Sequence, residues 1–168
     1  MKNLRDWLQD RGSLMARLRA HGLQPKICLL SQRWGYPNPE ERHLLALEPR
    51  RHVLIREVSI QHGKLPLVHG RSIMPLATVT GPERQLLYWG ERALGNYLFK
   101  HRSMTRSPFS FVSADLPDYC DQALPGRRSI FYLREKPLLL TEVFLPELVD
   151  FAHDHPASSS LRRFNALA

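Results

Sequence analysis

The sequence predicts a single α+β domain in which one antiparallel sheet is flanked by helices. Three observations point there. Two pairs of strand-like runs, 53–60 with 65–74 and 129–134 with 138–145, are each separated by a short turn, the mark of a hairpin. Segments of helical periodicity cluster before and between these pairs. The chain has 168 residues, 43% apolar and 24% charged, enough for one core and with no internal repeat. No apolar run approaches the roughly 18 residues of a membrane-spanning helix; Pro137-Leu138-Leu139-Leu140 is strand-sized.

The elements follow in order. Asn3 is placed to cap a helix with Leu4, Trp7 and Leu8 on one face, broken at Gly12. Ser13 caps a second helix through Leu14, Met15 and Leu18, which Gly22 stops. Residues 24–33, with Ile27, Leu29 and Leu30, read as a strand. Trp34-Gly35-Tyr36-Pro37-Asn38-Pro39 reads as a loop. The first hairpin turns at Gln61-His62-Gly63-Lys64. Thr80-Gly81-Pro82-Glu83 predicts a capping box and a helix through Leu86, Leu87 and Trp89, ended by Gly90. A short helix follows at 94–99. Residues 104–112 read as a strand in which Pro108 marks an edge or a bulge. Residues 114–126, with two prolines and three acids, read as a covering loop, and the second hairpin turns at Glu135-Lys136-Pro137. The domain is expected to occupy residues 1–146, and residues 147–168 to be a mobile C-terminal extension.

The net charge of +8 suits nucleic acid, an anionic membrane or a small polyanion. The cations are scattered in pairs such as Arg50-Arg51, Arg127-Arg128 and Arg162-Arg163, without a basic stripe or stacking platform, so no nucleic-acid partner is expected. Cys28 and Cys120 stand too far apart for a zinc motif, and two cysteines do not make a disulfide scaffold. His153-x-His155 lacks a third ligand nearby, and the glycines form no phosphate loop. Trp7, Trp34 and Trp89 read as core or lid anchors. The N-terminus has no apolar signal region. The expectation is a cytoplasmic monomer without cofactor, metal or stable membrane insertion.

The informative residues are charges inside apolar strands. Alternation groups Leu67, His69, Arg71 and Ile73 on one face, and Leu138, Leu140, Glu142 and Phe144 on another. A buried charge requires a partner. Arg71 and Glu142 either form structural salt bridges, with each other or with neighbours, or line a pocket for an anionic, hydroxylated ligand. A guanidinium fork matches a carboxylate, and a desolvated glutamate is suited to moving a proton.

Specific strings then become recognisable. They are Asp6-Trp7-Leu8, Ser13-Leu14, Gly70-Arg71-Ser72 with Pro75, Thr80-Gly81-Pro82-Glu83, Leu94-Gly95-Asn96-Tyr97-Leu98-Phe99, Thr105-Arg106, Gly126-Arg127-Arg128-Ser129 and, most specific, Lys136-Pro137-Leu138-Leu139-Leu140-Thr141-Glu142-Val143-Phe144-Leu145-Pro146. In this order they resemble the chorismate lyase family, whose members eliminate pyruvate from chorismate to give 4-hydroxybenzoate for ubiquinone synthesis. The resemblance spans roughly residues 4–146. It implies an antiparallel sheet flanked by helices, a closed pocket beneath flaps, and no cofactor. It implies further that Arg71 anchors the ring carboxylate and Glu142 approaches the ring hydroxyl as the catalytic pair. Backbone groups at Leu14 and Leu94 complete the product contacts. Arg128 and Arg84 are the candidates for the enolpyruvyl carboxylate, and slow release from a sealed pocket implies inhibition by 4-hydroxybenzoate.

A rival of another class shares the fold: the effector-binding domains of bacterial transcription regulators, which bind small anions without catalysis. They normally follow a winged-helix module, and the fold here is expected to begin within a few residues of Met1.

Overall fold

The computed structural model describes residues 2–154. Its strands are β1 (Pro25–Gly35), β2 (Val53–His62), β3 (Leu65–Pro75), β4 (Thr105–Arg106), β5 (Ser110–Ala114), β6 (Leu124–Leu133) and β7 (Lys136–Phe144). All pair antiparallel in one sheet of order β1-β2-β3-β7-β6-β4, with β5 continuing the outer edge of β6 beside β4. The helices are α1 (Lys2–Gln9), α2 (Leu14–Ala20), α3 (Pro39–Leu44), a 3-10 helix (Gly81–Tyr88), α4 (Leu94–Leu98) and α5 (Pro146–Asp154). The α+β class read from the sequence is the architecture found.

Local chemistry explains the ends. Ser13 Oγ accepts from the Ala16 amide at 3.3 Å and starts α2. The expected Asn3 cap lies outside the described side chains. The β2–β3 turn uses Gly63 at φ +59°, where a side chain would be strained. The β6–β7 turn sits one residue earlier than expected. Leu133 pairs with Lys136, and Arg134 and Glu135 both take positive φ, as a two-residue hairpin turn of the primed type requires.

Four further differences are instructive. Strand β1 runs on through Trp34 and Gly35, and the proline-rich stretch opens α3 rather than a loop. Asn38 Oδ1 accepts from the Glu41 amide at 2.8 Å and Glu41 Oε2 accepts from the Asn38 amide at 2.9 Å, a reciprocal capping box with proline in the first turn. The capping box expected at Thr80 does not form. Thr80 Oγ1 donates instead to the Ala77 carbonyl, and Glu83 is taken by Arg134 (3.0 Å) and Lys136 (2.9 Å), clasping the β6–β7 turn to the 3-10 helix. Residues 104–112 split at Pro108 into β4 and β5, since proline cannot donate to a ladder. The segment from Pro146 is helical, with Leu148, Phe151 and Ala152 of α5 buried against Trp7, Leu18 and Phe144. The rest of the expected extension, residues 155–168, lies outside the described residues.

Both faces of the sheet are covered. On the front, α1, α2 and α5 pack over Ile60, Val68 and Phe144, while the 3-10 helix and α4 pack over Leu54, Met74, Phe131 and Leu138. On the back, α3 and its C-terminal residues cover Val53, Ile55, Ile73 and Leu139, and the 115–123 connection covers Val143 and Leu145. Between the two front clusters lies a cavity.

Candidate active site

Register decides which side chains reach that cavity. The β2–β3 ladder begins His62↔Leu65 and Gln61↔Pro66, then slips so that Ile60 faces Val68. Leu67 is the extra residue of this bulge. Without the slip Arg56 would face Arg71, two like charges side by side. With it Arg56 faces Ser72 and Arg71 faces Glu57. The front face therefore carries Arg56, Val58 and Ile60 from β2, Gly70 and Ser72 from β3, Leu140 and Glu142 from β7, and Arg127 and Phe131 from β6. Gly12 to Met15, at the start of α2, and Ala93 to Gly95, at the start of α4, complete the walls.

The polar groups of this chamber are unbalanced. Arg56 is 2% exposed, and its Nη2 donates to the Gly90 carbonyl at 2.7 Å and the Arg92 carbonyl at 3.0 Å. Its Nε is buried with no partner among the described residues. Burial pushes the Arg56 pKa down to about 10, which leaves it charged at neutral pH. Arg127, 1% exposed, donates from Nε to Glu142 Oε2 at 2.7 Å. Its Nη1 serves the carbonyls of Trp7 (3.0 Å) and Asp10 (2.7 Å), so the end of α1 is tied to the floor of the site. Arg106 donates to Ser129 Oγ at 2.8 Å and the Arg11 carbonyl at 3.2 Å, with its guanidinium over Phe109 and Phe131. Its pKa is likewise pushed down to about 10, chiefly by burial, with Glu142 opposing. Three guanidiniums thus face one carboxylate in an apolar chamber.

The structure brings Leu14, Leu94 and Glu142 together at the cavity. It does not bring Arg71 there. Arg71 points to the back face, where Nε and Nη2 bind Glu41 at 2.7 and 3.1 Å and Nη1 binds Glu57 at 3.0 Å. The alternative of structural pairing with neighbours describes it. Arg128 also lies off the cavity, paired with Glu40 at 2.9 Å, and Arg84 is exposed on the 3-10 helix. Sequence reasoning missed Arg56, and it quoted Arg106 and Arg127 without giving them a role. A signal existed, because alternation along β2 sets Arg56 alone among Leu54, Val58 and Ile60.

Fold and site together define an α+β domain whose front face holds a largely apolar cavity carrying three guanidiniums and one carboxylate. Comparison with known proteins narrows the class. Residues 2–153 match the family model described as chorismate lyase. The probable chorismate pyruvate-lyase of Methylococcus capsulatus is 34% identical over 156 residues, covering 87% of this chain and 96% of that one. The chorismate pyruvate-lyase of Erwinia tasmaniensis is 34% identical over 86% of this chain and 79% of its own. That of Escherichia coli is 36% identical over 85% and 82%. Among solved structures, the PhnF C-terminal domain superposes with TM-score 0.60 at 11% identity, over 78% of this chain and 89% of that one. PhnF from Mycobacterium smegmatis superposes with TM-score 0.59 at 12% identity, over 82% and 65%. These two share the fold alone. The chain belongs to the chorismate lyase family.

Proposed function

We propose that this protein is a chorismate pyruvate-lyase that eliminates pyruvate from chorismate and leaves 4-hydroxybenzoate, the aromatic acid its family supplies to ubiquinone synthesis. The observation that carries the assignment to these residues is the buried, unpartnered Nε of Arg56 in an apolar chamber that also holds Glu142. In this reading Arg56, in place of Arg71, anchors the ring carboxylate. Val58, Leu140 and Phe131 hold the ring, and backbone groups at Leu14 and Leu94 bound it from the starts of α2 and α4.

The reaction breaks the ether bond between the ring and the enolpyruvyl oxygen. The proton on the hydroxyl-bearing ring carbon leaves, the ring becomes aromatic, and the released enolpyruvate takes a proton on its methylene carbon to become pyruvate. Glu142, fixed by Arg127, is the group placed to accept the ring proton. Arg127 and Arg106, which line the same cavity, are the cations assigned to the charge growing on the departing enolpyruvate, in place of Arg128 and Arg84, which do not line it. A chamber roofed by a flap tied through Arg127 and Arg106 releases product slowly, so progress curves should bend as 4-hydroxybenzoate accumulates.

The test follows 4-hydroxybenzoate and pyruvate together from purified protein and chorismate. Equimolar appearance is expected. Glu142→Gln should bind 4-hydroxybenzoate within a few-fold of the parent and lower kcat by about 10²–10⁴. An unchanged kcat removes Glu142 from the proton step. Saturable binding of 4-hydroxybenzoate without any turnover overturns the lyase reading in favour of an effector-binding domain.

A further inference from the structure

One surface cluster takes no part in the chemistry above. At the end of β1, Trp34 and Tyr36 are 45% and 59% exposed, although tryptophan on a strand is usually covered. Tyr36, its ring edge-on against His52, lines a surface hollow with Pro37, Arg42, Arg50 and Arg51, two residues along the chain from Trp34. The guanidiniums come from two places. Arg42 projects from α3, and Arg50 and Arg51 follow the turn in which the Arg51 amide meets the Glu48 carbonyl, with Arg50 held at φ +61°. All three are exposed, and none pairs with a carboxylate among the described residues; Glu48 of the same turn pairs with none of them. The other acids of this region are committed elsewhere, Glu40 to Arg128 and Glu41 and Glu57 to Arg71. A non-glycine residue in the left-handed region carries strain, here at a turn that presents two adjacent cations without a partner.

We propose that this end of the sheet docks the protein on an anionic phospholipid surface, with Arg42, Arg50 and Arg51 on the headgroup phosphates and Trp34 and Tyr36 at the headgroup level. Charge complementarity selects an anion, and the exposed aromatics select a bilayer interface over a free phosphate, because their amphipathic rings favour that layer. The cations gather at one end of an edge strand rather than along a groove, which suits a flat surface better than a polynucleotide backbone. Each arginine near such a surface contributes roughly fivefold to partitioning, so loss of all three should weaken binding about a hundredfold.

The experiment is co-sedimentation of the full chain with vesicles of phosphatidylcholine alone and of phosphatidylcholine with phosphatidylglycerol. Binding only to the anionic vesicles, weakened by added salt and abolished in R42E/R50E/R51E, is the expected result. Trp7 and Trp89 are 1% and 8% exposed, so a blue shift of tryptophan emission on vesicle addition, absent in W34F, reports insertion of Trp34. These residues do not line the cavity or the core clusters, so both variants should keep the parent's far-UV circular dichroism spectrum and urea midpoint, which verifies their fold. Equal binding to both vesicle types overturns the proposal. So does undiminished binding of the triple variant, or a preference for an RNA oligonucleotide over the vesicles that the same variant removes. Failure of the lyase reading leaves this test untouched, since it reads partitioning alone.

Discussion

The two faces of the sheet each set an arginine in the middle of an apolar strand, half-buried at Arg71 and fully buried at Arg56, and treat it in opposite ways. On the back, the Arg71 fork closes on Glu41 and Glu57 at 2.7–3.1 Å, and Glu57 is also held by Ser31 at 3.0 Å. Cation and acids are supplied by the chain itself. On the front, Arg56 meets only backbone carbonyls and keeps a buried Nε unpartnered. An arginine met by its own chain's carboxylates holds the fold together; one met only by backbone carbonyls, in a cavity, is the one we propose to meet a ligand. The difference rests on one bulge, since the slip at Leu67 is what keeps the two arginines from facing each other.

The strongest way to break this comparison is to remove each arginine in turn. Arg56→Ala should lower kcat/KM for chorismate at least a hundredfold, about 2.7 kcal/mol of transition-state stabilisation, with a near-parental unfolding midpoint. Arg71→Ala should do the reverse. It strands Glu41, whose side chain is 5% exposed, and should cost about 2–3 kcal/mol of stability while the folded enzyme stays within a few-fold of parental activity. Urea melts and steady-state kinetics on both variants decide. If Arg71→Ala loses activity as severely as Arg56→Ala, the division of labour between the faces is wrong.

How much of this was legible in the sequence follows from the same geometry. Alternation within a strand is a local property, and it correctly set Glu142 among Leu138, Leu140 and Phe144. It also showed that Arg71 sits in apolar company. What alternation lacks is the register between strands. Gly70 faces Glu142, so the residue next to it, Arg71, is turned away, and only the pairing shows this. The bulge breaks the alternation itself, since Leu67 belongs with the front cluster while Ile73 belongs with the back. The hairpins and most helices were readable because periodicity and turn residues lie close together in the chain. The Thr80 box was misread because Glu83 has stronger suitors 51 and 53 residues away. Helix α5 was missed because its apolar residues make sense only against α1 and Phe144.

A smaller effect separates the faces by pH. On the back, His69 packs among Glu57, Arg71 and Tyr119, its Nδ1 buried without a partner and its Nε2 3.8 Å from Glu57. Burial holds its pKa below the ordinary imidazole value of 6.5, with Glu57 opposing and Arg71 assisting. Unfolding frees it to bind a proton near pH 6.5, so the unfolded state takes up more protons as the pH falls through that value. Its contribution is therefore complete above about pH 6.5 and is lost towards the lower folded pKa. The urea midpoint should drop between pH 7.5 and 5.5, and His69→Leu should flatten that slope. Glu57 acts in a separate window. Burial raises its pKa, but the Ser31 hydroxyl and Arg71 outweigh this and bring it below the ordinary 4.5, so its contribution is present above about pH 4.5 and lost below it. A slope between pH 7.5 and 5.5 that survives His69→Leu would assign the proton uptake to another group.

The smallest expected change probes how the back face supplies its acid. Glu41 Oε2 accepts from the Asn38 amide at 2.9 Å and from Arg71 Nη2 at 3.1 Å, so one carboxylate both closes the α3 capping box and meets the guanidinium. Asn38→Ala removes the side-chain half of the box and should cost about 1 kcal/mol, with parental turnover because α3 lies across the sheet from the cavity. The informative quantity is the double variant with Arg71→Ala. If helix start and ion pair share Glu41 as one unit, the two losses should combine to less than their sum by about 0.5 kcal/mol or more. Losing the Asn38 side chain loosens the first turn of α3, so the carboxylate that the second change would strand can turn toward solvent. Strict additivity would mean that Arg71 holds Glu41 independently of α3, and the capping box would then contribute to the helix alone.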